Sequence, residues 1–167
     1  MLLGQPLNLP SALVSGKVGW QLYQEFPEIQ AEYAEVKTLF FYSTSAYQLH
    51  TVDKPLNTLE DLKGMLVRCG GPVDTAIAEA LGAIPQFLSM PDAYLALEKG
   101  VLDAHMGPYG PMKGFGLADV TYCHLTNANL HTCVFCVIMN LDTSVVPSLA
   151  NYFVASLTRL TNPPSST

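Results

Sequence analysis

The sequence predicts an α/β protein built on one small parallel or mixed sheet, and two observations predict it. Between residues 58 and 106, the apolar runs Met65 to Arg68, Ile84 to Leu88 and Val101 to Met106 alternate with helical stretches at Pro72 to Leu81 and Pro91 to Lys99. Their connections are short, the pattern of a β-α-β-α-β unit whose helices cover the sheet. The composition also suits a packed core: 167 residues are 49% hydrophobic and only 13% charged, against about 25% charged in ordinary domains. Disorder, collagen and coiled coil are excluded.

Taken in order, the chain opens with an apolar stretch, Leu2 to Leu13, punctuated by Pro6 and Pro10. A helix is expected from Gly16 to Tyr33, with Val18, Leu22, Phe26, Ile29 and Tyr33 on one face. Pro27 should break or kink it. Val36 to Tyr42 reads as a strand. Thr58-Leu59-Glu60-Asp61 resembles a capping box with Asp in place of Glu, and Gly64 closes that short helix. Val73, Ile77 and Leu81 form the stripe of the next helix, closed by Gly82. Pro91 suits the first helical position, and Gly100 caps the far end. Beyond the β-α-β-α-β unit, a helix is expected at Tyr109 to Phe115, a strand at Val120 to His124 and a polar turn at Thr126 to Asn129. His131 to Asn140 is apolar at odd and even positions alike, which predicts a central strand covered on both faces. A final helix, Val146 to Leu160, runs into the breaker-rich tail Asn162 to Thr167.

Charge narrows the partners. Eight Lys and Arg against 14 Asp and Glu give a net charge of −6. No basic face for nucleic acid and no Lys/Arg run for an anionic membrane surface is visible. No apolar run reaches the ~18 residues of a membrane helix. The start, Met1 to Pro6, lacks a basic region, and Gln5 and Asn8 interrupt any signal-peptide core. On its own this points to the cytoplasm; a truncated N-terminus would explain it equally.

The chemistry-bearing residues are few. No GxSxG, HExxH, Walker or GxGxxG motif is present. The run Gly107-Pro108-Tyr109-Gly110-Pro111 has too few N–H groups to cradle a phosphate. Cys123, His124, His131, Cys133 and Cys136 are close enough in sequence to be weighed as a metal site. On a strand, however, Cys133 and Cys136 face opposite ways, so buried apolar cysteines are the simpler reading. His50 and His105 could act as general bases, but neither has a nucleophile nearby in sequence. Arg68 stands out. It ends a parallel strand just before Cys69-Gly70-Gly71, where ligands of open α/β sheets gather, and its fork matches a carboxylate. A surface salt bridge is the alternative. Tyr47, Gln48, Met90 and Tyr109 lie in loops or at element ends, where they either reach the same site or simply pack.

These residues also carry a family resemblance. "FPEIQAEYAEVKTLFFYS" followed by "YQLHTVDKPLNTLEDLKGMLVRCGGPV", then "LGAIPQFLSMPDAYLALEKGVLDAHMGPYGPMKGFGLADV" and "HTCVFCVIMNLD", resembles the DctP-type solute-binding proteins of tripartite ATP-independent periplasmic (TRAP) transporters. The similarity runs from about Leu2 to Asp142. It implies a periplasmic-binding-protein-like fold, here with one sheet domain plus part of a second lobe. Residues 1–48 would belong to domain I, 49–128 would form the ligand lobe, and 129–167 would return to domain I. The implied function is a periplasmic receptor, not an enzyme, that closes over a small organic acid and hands it to a TRAP membrane permease, with no cofactor.

The resemblance puts the carboxylate-clamping Arg at Arg68, a second polar arm near Gln48, an apolar wall at Met90 and a ligand-facing stretch at Gly107 to Tyr109; Tyr47 would help shape the pocket. The chain departs from the family at Ala104, in place of a Gly after Asp103, at Cys69 beside the Arg, and at Gly107, where some members carry an Asn that helps hold the ligand. It reads as truncated at both ends. That leaves open an inactive fragment, a homodimer that restores missing edges, or a small metal-binding α/β protein as the alternatives.

Overall fold

The computed structural model describes residues 11–141; the expected opening stretch and the helix at Val146 to Leu160 lie outside them. The described residues divide into two compact units, 11–15 with 43–133, and 16–42 with 134–141.

The first unit is built on five strands: β2 (Gln48–Thr51), β3 (Leu66–Cys69), β4 (Ile84–Phe87), β5 (Ala104–Gly107) and β6 (Cys123–Leu125), in the order β4-β3-β5-β2-β6. The parallel strands β4, β3 and β5 are those of the β-α-β-α-β pattern. Their crossovers are α3 (Pro72–Ala80) and α4 (Met90–Glu98). Each helix opens with a proline in its first turn, where the missing N–H costs nothing. The turns at Gly64, Gly82 and Gly100 have φ of 77°, 84° and 68°, a conformation that glycine adopts without strain. The capping box forms around a 3-10 turn at Leu59–Leu62, with Asp61 accepting the backbone N–H of Thr58 at 2.8 Å. β2 pairs antiparallel with β5 and in turn with the edge strand β6; the sequence predicts a strand near β6 but not β2.

Alternation along the strands sorts the faces. Val67, Cys69, Ala104, Met106 and Leu49 are buried in one cluster with Ala78 of α3. Ala93 and Leu97 of α4 bury with Leu102, Met112, Leu117 and Val120 in a second.

In the second unit, α1 (Ala12–Glu25), whose first residues lie in the first unit, stops before Pro27, and α2 (Pro27–Glu32) restarts the helix, so the proline breaks it as expected. β1 (Val36–Ser43) pairs with β7 (Val134–Asn140). Phe41 packs among Tyr23 and Tyr33, with ring centroids 5.4 and 5.8 Å away.

Three expectations need correction. Residues 109–115 form consecutive turns rather than a helix, followed by a 3-10 turn at Leu117–Asp119. Gly110, Pro111, Gly114 and Gly116 within that stretch disfavour a regular helix, and Gly116 takes a φ of 69°. β6 begins at Cys123, three residues later than expected, after the turn that buries Val120. β7 pairs with β1 alone among the described residues and has no fully buried position, so within them it is an edge rather than the expected central strand. Apolar residues on both faces are necessary for such a strand but do not specify its neighbours.

Candidate functional site

Strand register assembles the site. Arg68 on β3 pairs with Gln86 on β4 and with His105 on β5; His105 pairs with His50 on β2, and His50 with His124 on β6. Paired residues share a face of a sheet. One face therefore carries a transverse polar row, Gln86–Arg68–His105–His50–His124, while the residues beside it in sequence, such as Val67 and Ala104, point into the opposite core.

Arg68 is the charged member. It is 6% exposed, not the surface side chain of the salt-bridge alternative. Its Nε donates to the Leu88 carbonyl at 2.8 Å, which fixes the fork by its inner edge. Nη1 and Nη2 have no hydrogen-bond or ion-pair partner among the described residues. They lie over Gly70: a Cβ there would sit 3.1 and 3.3 Å from them, and Gly70 itself is exposed. Burial pulls the guanidinium below its ordinary value, opposed by the charge of Asp74.

Asp74 lies in the first turn of α3 and is spent elsewhere. Its Oδ2 accepts the Gly70 N–H at 2.7 Å, and its Oδ1 meets His131 Nε2 at 2.7 Å. Both side chains are buried. Tyr47 packs at a tilt against the His131 ring, with centroids 4.1 Å apart. Burial raises the Tyr47 phenol, with Cys133 and Asp74 adding to it.

Beyond Arg68 the histidines differ in how they are satisfied. His50 Nε2 donates to the Gly107 carbonyl at 3.1 Å; its Nδ1 is then bare and accepts the Nδ1–H of His124 at 3.0 Å. Tyr109 caps this pair edge-on, 4.9 Å from His50 and 6.1 Å from His124. His105 is fully buried, and neither ring nitrogen has a partner among the described residues. Burial, the Arg68 charge and then His50 lower it to about 3, so the ring is neutral.

The expected site residues thus part company. Arg68, Gly107 and Tyr109 gather along the row. Gln48 faces the same way, opposite Gly107 in register. Its amide, however, donates to Asn129 Oδ1 at 2.8 Å and accepts the Asn129 N–H at 3.2 Å. Tyr47 stands on the Asp74–His131 side. Met90 packs against the α4 cluster. The metal alternative finds no support: His131 is bound to Asp74, all four cysteines are free, and no group of three or more His, Cys, Asp or Glu able to hold an ion occurs among the described residues. Sequence reasoning passed over Asp74 altogether, and it took His50 and His105 only as possible bases. Strand parity alone would have put Arg68, His105 and His50 on a common footing, but their register is needed to make them neighbours.

Comparison with known proteins places this architecture. The family described as bacterial extracellular solute-binding protein, family 7, the DctP family, matches residues 11–143, and the chain belongs to it. Solved structures agree. A TRAP solute-binding protein from a marine metagenome, specific for aromatic acid ligands and solved with 3-hydroxybenzoate, is 25% identical with a TM-score of 0.80, covering 96% of this chain and 53% of that one. A TRAP solute-binding protein of Rhodoferax ferrireducens, with copurified benzoate, is 26% identical with a TM-score of 0.77, covering 88% and 47%. One from Desulfovibrio salexigens is 26% identical with a TM-score of 0.71, covering 93% and 48%. The chain spans about half the length of these structures.

Proposed function

We infer that this protein is a periplasmic receptor, not an enzyme, that captures a small organic acid and delivers it to a TRAP membrane permease. The observation that carries this reading is Arg68: a buried guanidinium held through Nε, with its outer edge unpaired among the described residues, beside an exposed glycine. Two parallel N–H groups at that edge match a carboxylate and bond it more strongly than neutral donors would. Gly107 and Tyr109 border the ligand further along the row. Tyr47 and Gln48 act as positioning residues, Gln48 by holding the turn at Asn129, and Met90 supplies apolar backing. The family and the aromatic acids held by two structural neighbours support the ligand class.

The test is a thermal-shift screen with benzoate, 3-hydroxybenzoate and aliphatic carboxylates. Ligand at 100 times Kd adds about 2.7 kcal/mol of stability. Removing one partner of a buried charge pair costs about 2–5 kcal/mol, so Arg68→Ala should weaken the best acid at least tenfold. A screen without any shift, or an Arg68→Ala protein that binds as the wild type does, refutes the reading.

A further inference from the structure

The histidines differ in what their ring nitrogens meet. His50 turns one nitrogen to the Gly107 carbonyl and the other to the His124 imidazole, the pattern of a neutral ring. His105 meets no partner among the described residues. His131 alone faces an oxygen acceptor at each nitrogen: Asp74 Oδ1 lies 2.7 Å from Nε2, and the Thr132 carbonyl lies 3.3 Å from Nδ1. A neutral imidazole has one N–H and would turn a lone pair against one of these oxygens; an imidazolium has two N–H groups and satisfies both. The ring is buried, and Tyr47 packs against it with centroids 4.1 Å apart, where an aromatic neighbour favours a cation. Acceptors on both sides and an aromatic ring beside it make this the setting of a protonated histidine.

That proton bears on Arg68 through Asp74. Arg68 and Asp74 both flank Gly70, where an added Cβ would stand 3.1 Å from Nη1 of the one and 3.2 Å from Oδ2 of the other, yet no ion pair joins them. The other titratable groups around them are Tyr47, Cys133 and Cys69. Burial raises all three, Cys69 to about 11, so none is charged near neutrality. The local charge is then set by Arg68, Asp74 and His131 alone: one net positive charge with the imidazolium, none with the neutral ring. We propose that His131 is a proton-linked positioning residue for acid capture: as an imidazolium it neutralises Asp74 and leaves the charge of Arg68 to the ligand, and as a neutral ring it lets Asp74 offset that charge. Linkage fixes the sign. A bound carboxylate favours the protonated ring, so capture takes up a proton and affinity rises as pH falls. This deepens the preceding proposal and rests on its assignment of Arg68 to the carboxylate.

The experiment is calorimetry with benzoate from about pH 9 down to about pH 5.5, a range in which a carboxylic acid stays ionised. If benzoate does not bind, the acid of the screen above with the largest thermal shift replaces it. The wild type should bind about threefold or more tightly at the acid end, with a heat that varies with the ionisation enthalpy of the buffer because a proton is taken up. His131→Gln keeps a donor for Asp74 but cannot ionise, and its affinity should be flat with pH. His124→Gln, at the exposed end of the polar row, should keep the wild-type profile. Because a variant can fail to fold, the His131 nitrogens are also followed by NMR in the wild type: at about pH 6 both should carry protons, and the acid should move their titration to higher pH. A flat wild-type profile, a profile that survives His131→Gln, or a singly protonated His131 at that pH overturns this proposal alone. A wild type that takes no acid of the screen overturns the Arg68 reading and this one together.

Discussion

Gly107→Ala is the sharpest structural test. The added Cβ would stand 2.3 Å from His105 Nε2 and 2.7 Å from Cε1, well inside the roughly 3.5 Å of a comfortable non-bonded contact. The ring cannot swing into water, because it is fully buried between its register partners Arg68 and His50. Relief must come from an off-rotamer imidazole or a displaced β5, and overpacking of this kind costs about 1–3 kcal/mol. At about 2–4 °C per kcal/mol for a protein of this size, a 2 kcal/mol loss corresponds to a fall of roughly 4–8 °C in Tm. Denaturant unfolding of Gly107→Ala, His105→Ala and the double variant closes the cycle. On the His105→Ala background the clash is gone, so adding Gly107→Ala should cost less than about 0.5 kcal/mol, the usual range of a harmless substitution. If Gly107→Ala is equally mild on both backgrounds, His105 is not held against Gly107.

Other outcomes follow from the same geometry. Gly70→Ala places a Cβ 3.1 Å from Arg68 Nη1 and 3.2 Å from Asp74 Oδ2; at an exposed position it should change stability by under about 0.5 kcal/mol yet weaken acid binding several-fold by calorimetry. His131→Ala strips the buried Asp74 Oδ1 of its partner and should destabilise by about 1.5–3 kcal/mol in urea, the range for hydrogen bonds to charged groups; an unchanged midpoint would refute it. The pH dependence has a definite sign. His105 is lowered from an ordinary 6.5 to about 3 and His50 is lowered too, so below about 6.5 the unfolded chain binds protons that the folded one refuses. Stability is then full above pH 6.5 and falls progressively toward pH 3. His105→Phe should flatten that slope, and an unaltered slope would contradict the assignment.

The parallel half of the sheet was readable because its punctuation is chemical. Prolines start α3 and α4, glycines in left-handed turns follow their helices, and the Thr58–Asp61 cap appears where the residues place it. The place of Arg68 in the fold was readable for the same reason, since it lies near the end of a strand of known direction. The polar row was not. His50, His105 and His124 are separated by whole crossovers, and only the antiparallel insertion of β2 between β5 and β6 lines them up. Periodicity reports which face a residue takes, never which strand lies beside it. Gln48 shows the converse. Its type suited a ligand arm, yet the left-handed Asn129 at φ 42° claims both ends of its amide, a long-range pairing that no local pattern encodes.

Asp74 resolves how a buried cation can be tolerated and still be left open. Breaking up water around a guanidinium is costly unless an opposite charge lies near, and Asp74 supplies that charge, opposing the downward pull of burial on Arg68. A direct bidentate pair would have closed the outer edge of the fork to any other anion. That pair does not form, because one carboxylate oxygen is occupied by His131 and the other by the Gly70 N–H. The Gly70 bond ties that turn to the start of α3, holding bare the backbone over which the guanidinium lies, while the other bond anchors Asp74 to His131. His131 is thus linked to the Arg68 edge through a carboxylate it keeps away from the arginine, and its substitution should release Asp74 to compete with the ligand as well as loosen the fold.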